Sequence, residues 1–165
     1  EISSAPEVVF DDPLKISQAN LDFRLRLDPF TLDIGQAVFM NDDVPLSMRG
    51  QISAGLQGWS VDLDVQTDVI SSEQVISLWP LGLDEPTRNW LNENVRNGDF
   101  YKPTVVFRAA PDAKPTLALS MEFRDANVLI IPKLPPIEDA NGTLLIIDRR
   151  LAMKLDSGHV TAPIG

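Results

Sequence analysis

Apolar and polar residues alternate along most of this chain, which places successive side chains on opposite faces of β-strands. The clearest run contains Leu21, Phe23, Leu25 and Leu27, separated by acidic and basic residues. The same alternation recurs in later runs, whose apolar members are Leu32 and Ile34; Leu46, Met48 and Ile52; Val61, Leu63 and Val65; Val105 and Phe107; Leu117, Leu119, Met121 and Phe123; Val128 and Ile130; Leu144 and Ile146; and Leu151, Met153 and Leu155. The intervening residues include Asp, Arg and Ser, so the pattern predicts a sheet that buries one face only.

Turn-forming residues separate many of these runs at hairpin length. They are Asn41-Asp42-Asp43, Leu56-Gln57-Gly58, residues 111–115, Asn141-Gly142 and Asp148-Arg149. Short connections join antiparallel neighbours, so the chain is predicted to be mainly β, with a curved antiparallel meander sheet. A sandwich, a barrel and an extended curved sheet all satisfy this pattern.

Two glycines mark expected irregularities in the strands. Gly35 is expected to end the run that contains Leu32 and Ile34, and Gly50 is a candidate for a β-bulge.

The middle of the chain has helical spacing instead, which predicts a helical insert at about residues 71–97. Ser71 or Ser72 is expected to cap a short first helix, which Pro80 ends. Asp84 is expected to be the N-cap of a second helix, and Gly98 its C-terminal left-handed cap. The apolar stripes of the two helices comprise Val75, Ile76 and Trp79, followed by Trp90, Leu91 and Val95.

Composition narrows the possible partners and site types. The chain has 14 basic and 24 acidic residues, a formal net charge of −10, and no basic run. This surface repels phosphate backbones, so nucleic acid is not expected as a partner. The absence of cysteine excludes disulfides, thiolate zinc sites and cysteine nucleophiles.

The chain is predicted to be a single β-rich module, residues 1–165, and the residues at its two ends indicate that it is excised from a longer protein. The chain opens on Glu1 without a signal peptide, and His159-Val160-Thr161 with Ile164 has the pattern of a strand still in progress. No apolar run approaches the roughly 20 residues that span a bilayer, so any membrane anchor is expected outside this segment.

Candidate catalytic and metal-binding residues are few. His159 is the only histidine, and one histidine in a final strand does not indicate a Ser-His-Asp triad. Asp11-Asp12 and Asn41-Asp42-Asp43 lack the spacing of a calcium loop and are predicted to be turns. Asp62 and Asp64 share a polar strand face, where carboxylates are usually solvated. We therefore predict no catalytic set, no metal, no cofactor and no enzymatic activity.

The remaining distinctive residues have simple structural interpretations. Trp79 and Trp90 are expected to dock the helices onto the sheet rather than to bind carbohydrate or a membrane interface. Pro135-Pro136 is expected to form a rigid step between strands rather than a polyproline ligand.

Several segments together resemble a known family. They are residues 78–83 (LWPLGL), 87–91 (TRNWL), 97–98 (NG), 123–128 (FRDANV) and 134–144 (LPPIEDANGTL). In this order they resemble the AsmA-like proteins of Gram-negative envelopes, and most closely the YhdP-type repeat region, which is related to TamB. The resemblance covers roughly residues 50–165, whereas the first third fits only as generic strands of the same architecture.

The resemblance implies a function that the residues alone do not reveal. Such proteins are anchored in the inner membrane and project a long sheet through the periplasm, with an apolar groove thought to carry phospholipids between the two membranes. The chain would then be a non-enzymatic periplasmic β-groove module that contacts phospholipid acyl chains, while parts of the protein outside it contact the membrane. The candidate groove residues are Phe23, Leu25, Leu63, Phe107, Leu119, Met121, Val128 and Ile146.

One alternative predicts the same alternation of residues. The apolar strand faces would fill a closed core, and the chain would be a structural or protein-interaction β-domain without a ligand. In either case, excision from a continuous sheet leaves unpaired strand edges, which favour edge-to-edge self-association of the segment.

Overall fold

The computed structural model describes residues 2–3, 15–41, 43–79 and 84–161, which form one antiparallel sheet of 11 strands and two helices. The strands are β1 (Ile2–Ser3), β2 (Lys15–Leu27), β3 (Phe30–Asn41), β4 (Val44–Gly55), β5 (Gly58–Gln66), β6 (Val69–Ser71), β7 (Val95–Arg96), β8 (Asp99–Ala109), β9 (Thr116–Val128), β10 (Ile137–Ile147) and β11 (Arg150–His159). The helices are α1 (Ser72–Ser77) and α2 (Glu85–Asn94). The sheet is open, which confirms the predicted antiparallel fold with a short helical pair.

The strand order follows the chain as a meander, β1-β2-β3-β4-β5-β8-β9-β10-β11. The helical insert interrupts it between β5 and β8, and the short strands β6 and β7 pair with β8 and β9 on either side of the insert. The connections β2–β3, β4–β5, β8–β9 and β10–β11 therefore lie at one end of the sheet, called here the hairpin end. The insert leaves the sheet at the opposite end.

Strand register puts the alternating apolar residues of the predicted runs on one face of the sheet. Leu63 lies opposite Gly50 on β4 and Phe107 on β8, and Phe107 lies opposite Leu117 on β9. Directly opposed residues project from the same face. The alternation seen in separate runs therefore merges into one apolar face and one polar face.

The insert begins as the sequence predicts. The Ser71 hydroxyl accepts a hydrogen bond from the Gln74 backbone N–H at 3.2 Å, and the Gln74 side-chain oxygen accepts one from the Ser71 N–H at 2.9 Å. This reciprocal capping box satisfies backbone donors at the start of α1. Pro80, expected to end this helix, lies outside the described residues.

The second helix begins where the sequence predicts but ends earlier. Asp84 is the N-cap of α2, although it has a left-handed conformation and its side chain caps no backbone N–H. Its carboxylate instead accepts hydrogen bonds from the Thr87 hydroxyl at 2.7 Å and from Arg149 Nε at 3.0 Å. Gly98 is not a helix cap, because α2 ends at Asn94 and β7 intervenes; with a φ of 89° it belongs to the turn between β7 and β8.

The predicted turn at Asn141-Gly142 is wrong, because both residues lie within β10. Gly35 likewise does not end its strand, since β3 continues to Asn41. The irregularity expected at Gly50 lies in β3 instead: the β3–β4 register shifts between Ile34 and Ala37, whereas the β4–β5 register is regular through Gly50.

The buried core lies where the insert covers the sheet. Its buried hydrophobic residues come from the insert, from β8, β9 and β10, and from the adjoining ends of β4 and β6. They are Val44, Ile70, Trp79, Leu91, Val95, Phe100, Leu117, Leu119, Met121, Phe123, Ala126, Val128, Ala140, Leu144 and Ile146. The apolar faces of β2 and β3 contribute no residue to this cluster, so much of the apolar face remains accessible.

Candidate functional site

An apolar groove of about 450 Å³ lies between the sheet and helix α1. Strands β3, β4, β5, β8 and β9 provide its floor, and α1 with the two residues after it provides a wall. The lining residues are Phe39, Leu46, Met48, Leu63, Val65, Gln66, Thr67, Ile70, Val75, Leu78, Trp79, Pro103, Val105, Phe107, Leu117, Leu119 and Met121. This volume lies within the ~300–1,000 Å³ typical of small-molecule sites.

Four of the candidate groove residues meet in this groove. Leu63 and Phe107 are half-buried neighbours on β5 and β8, and Leu119 and Met121 form a buried part of the floor on β9. They come together because each occupies an apolar position of its strand and the registers align those positions.

The other four candidates lie elsewhere. Phe23 and Leu25 occupy the same apolar face on β2 but are 55% and 48% exposed, beyond the groove. Val128 and Ile146 are each 1% exposed, sealed within the core. The apolar face therefore has an open part over β2 and a closed part around β9 and β10, so the closed core of the alternative holds for only part of it.

The wall of the groove was not anticipated from the sequence. Val75, Leu78 and Trp79 line the groove, although the helical spacing of Val75 and Trp79 predicted only docking of α1 onto the sheet. Phe39 was also missed, because β3 was expected to end at Gly35. The available signal was the width of the apolar stripe of α1. A stripe wider than its contact with the sheet leaves apolar side chains that can line a groove.

The groove has little polar lining. Among the described residues that line it, only Gln66 and Thr67 are polar and no side chain is charged. The Thr67 hydroxyl donates a hydrogen bond to the Pro45 carbonyl, so its donor is already used. The groove therefore favours an uncharged, apolar ligand surface.

The predicted carboxylate pair on β5 lies on the opposite, polar face and is engaged in ion pairs. Arg108 on β8 contacts Asp62 at 3.1 Å and Asp64 at 2.6 Å, and Arg49 on β4 contacts Asp64 at 3.2 Å. The hydrogen bond from Arg108 lowers the pKa of Asp64; burial opposes this shift, and the hydrogen bond from Arg49 reinforces it. These carboxylates therefore tie β4, β5 and β8 together.

Asp64→Asn is expected to lower the free energy of unfolding at neutral pH by about 1 kcal/mol, because it removes the charge that both arginines contact. The folded-state pKa of Asp64 is depressed, so its contribution is present above the unfolded value of ~3.9 and disappears as pH falls through the folded pKa. Urea unfolding of both proteins across this pH range measures the difference.

The control for this variant is Asp156→Asn, which removes the exposed pair between Lys154 and Asp156. Exposed pairs contribute little, so no measurable change is expected. Equal effects of the two substitutions, or an Asp64 contribution that grows on acidification, would contradict the assignment.

Some of the other candidate catalytic and metal-binding residues lie outside the described ranges. His159 lies 3.4 Å from Glu138 and 3.5 Å from Asp139 at the end of the β10–β11 pair. Asp11-Asp12 and Asp42 lie outside the described residues. Within the described ranges, no group of three or more His, Asp or Glu side chains is arranged to hold a metal ion.

Comparison with known proteins identifies the family. A family model described as YhdP protein matches residues 5–162, which is nearly the whole chain. The chain belongs to the YhdP family. This confirms the AsmA-like, YhdP-type resemblance and indicates an envelope protein. Comparison with curated proteins and with solved structures gives no match.

The YhdP family assignment extends the sequence resemblance to the first third of the chain, where only generic strands were predicted. Strands β2, β3 and β4 thus lie within the region that matches the family, together with the other strands that line the groove. None of the helices in the described ranges has the length and apolar character that crossing a membrane requires.

Proposed function

We propose that this YhdP family chain is a non-enzymatic periplasmic module that binds or conducts phospholipid acyl chains between the inner and outer membranes. The observation that carries the proposal is an uncharged groove that continues onto an exposed apolar strand face. Leu21, Phe23, Leu25 and Leu27 on β2 are between 48% and 77% exposed. Acyl chains would cover such a surface with a gain of ~0.8 kcal/mol per buried methylene.

The apolar face of a single-layer sheet is not covered by a second layer, so a ligand would be needed to cover it. Soluble proteins seldom leave contiguous apolar patches larger than a few hundred Å² uncovered, and larger patches mark interaction sites. The net charge of −10 disfavours an anionic polymer on this chain, whereas neutral alkyl chains have no such penalty. Attachment to the membrane would come from parts of the protein outside this segment.

Leu63→Asp is expected to reduce bound phospholipid at least about tenfold, because a carboxylate in the groove costs about 2 kcal/mol or more when an acyl chain desolvates it. Leu63 is half-buried and lines the groove. Native mass spectrometry after incubation with phosphatidylethanolamine vesicles would measure the lipid-bound fraction, and circular dichroism would verify the fold.

The matched control is Leu145→Asp, because Leu145 is a 41% exposed leucine whose β9 partner, Ser120, belongs to the polar face. It should leave lipid binding unchanged. A benzophenone amino acid at Phe107 should also crosslink to lipid, while the same group at Leu145 should not. Equal lipid occupancy in both aspartate variants would refute the proposal.

The second candidate, a structural or interaction domain without a ligand, draws support from the sealed half of the sheet. Phe123, Val128 and Ile146 are at most 2% exposed and form an ordinary core. Absence of lipid from the wild-type chain, together with no crosslink from Phe107, would favour this function.

A further inference from the structure

The groove offers nothing that would recognise a charged headgroup or a polypeptide. Within the described part of the chain, its lining has no charged side chain, and the side chain of Gln66 belongs to a row of the polar face, opposite Ser47 and Thr104. The remaining polar side chain, Thr67, already donates to Pro45. A peptide backbone would leave its N–H and C=O groups unpaired here, and a phosphate would lose its hydration without a counter-charge.

The groove is also asymmetric along the strands. Towards the insert it has two sides, because Trp79 and Leu78 face the sheet across it. Towards the hairpin end the described residues that border it belong to the sheet, and the apolar face continues through Val61 to Trp59, which is 59% exposed. Trp59 and Val65 are six residues apart on β5, roughly 20 Å at the usual strand rise.

The volume of the groove matches that of a single alkyl chain. An apolar cavity of ~150 Å³ holds one benzene molecule, which has six carbon atoms. The groove of about 450 Å³ is three times larger. It therefore holds on the order of 18 carbon atoms by the same measure, comparable to one acyl chain of a membrane lipid.

From these features, and resting on the proposed function, we infer that the groove takes one alkyl chain with its methyl end beside Trp79 and its headgroup beyond Trp59, without distinguishing headgroups. The two-sided part of the groove contacts an alkyl chain from more directions. The methyl end, which gains nothing from hydration, therefore belongs there. The headgroup stays hydrated at the open hairpin end.

Tryptophan quenching by spin-labelled lipids tests this orientation. The probes are phosphatidylcholine and phosphatidylglycerol, each with a nitroxide near the carbonyl or near the methyl end of one acyl chain. Trp59→Phe with Trp90→Phe leaves Trp79 as the reporter, and Trp79→Phe with Trp90→Phe leaves Trp59. The difference in quenching between the wild-type chain and Trp59→Phe gives the signal of Trp59 a second time, without a substitution in the core.

Trp79 should be quenched more strongly by the methyl-end label and Trp59 by the carbonyl-end label. A ratio of about two or more is expected, because a short-range quencher at one end of a track roughly 20 Å long reports only the adjacent tryptophan. At about 0.15 M salt, phosphatidylcholine and phosphatidylglycerol should give the same ratios and affinities within about threefold. No charged side chain lines the groove among the described residues, and salt screens the net charge of −10 beyond roughly 8 Å from the hydrated headgroup.

Each other outcome overturns a distinct statement. The reverse pattern, or equal quenching of both reporters, would refute the orientation while leaving lipid binding intact. An affinity difference of more than about tenfold, or 1.4 kcal/mol, between the two headgroups would refute headgroup indifference. No quenching by any probe would refute the proposed function itself.

Discussion

Gly142→Ala is expected to lower the free energy of unfolding by about 3 kcal/mol, because a side chain at this position has no room. A Cβ there would lie 2.1 Å from the Lys154 carbonyl oxygen and 2.8 Å from the Phe123 ring. Gly142 is paired on one side with Phe123 on β9 and on the other with Leu155 on β11. Because the closest atom belongs to the backbone, β11 would have to move away from β10.

Gly55→Ala is the matched control, since a Cβ at Gly55 meets nothing within 4 Å. Its effect should stay within about 0.5 kcal/mol. Urea unfolding followed by circular dichroism measures both variants. Indistinguishable midpoints would show that β11 is not packed against Gly142 as described.

The error at Asn141-Gly142 shows where local sequence signals stop. Asn-Gly between apolar runs is the strongest short hairpin signal, and both neighbours of the dipeptide have strand character. The strand continues through Gly142 because the Phe123 ring and the Lys154 backbone approach it from two other strands. Those approaches depend on pairing between strands, which the local residues do not encode.

The second helix also shows that local sequence does not determine every partner of a charged residue. Asp84 is a residue type typical of N-caps. Its carboxylate, however, accepts hydrogen bonds from the Thr87 hydroxyl and from Arg149, a residue 65 positions away. Ser71 was predicted correctly because both partners of its capping box lie within one helical turn. Partners three residues away, such as Gln74 for Ser71 and Thr87 for Asp84, can be predicted from spacing, whereas Arg149 requires the fold.

The candidate site divides along the same line. Period-two alternation put Phe23, Leu63 and Ile146 on one face, and the register confirms that they share it. Alternation could not separate them further, because an exposed, a groove-lining and a sealed residue have the same pattern. What distinguishes them is the docking position of the insert, which depends on tertiary packing of Trp79 and Leu91.

Trp79→Ala is expected to lower the free energy of unfolding by about 3–5 kcal/mol, the cost of removing a large buried side chain and leaving a cavity. Trp79 is 6% exposed and joins the core that the insert forms with β8, β9 and β10. It also lines the groove, so its loss should loosen the wall that α1 provides. Urea unfolding monitored by circular dichroism gives the free energy, and hydrogen exchange of the α1 amides reports the wall.

Trp59→Ala separates this effect from the loss of any tryptophan. Trp59 is 59% exposed and makes an edge contact with Phe30, with ring centroids 5.4 Å apart. Its removal should cost about 1 kcal/mol or less and leave exchange of the α1 amides unchanged. If both alanine variants lost similar stability, or if α1 kept its protection without Trp79, the insert would not be held by this residue. The groove would then need another support for its wall, because the sheet alone supplies only its floor.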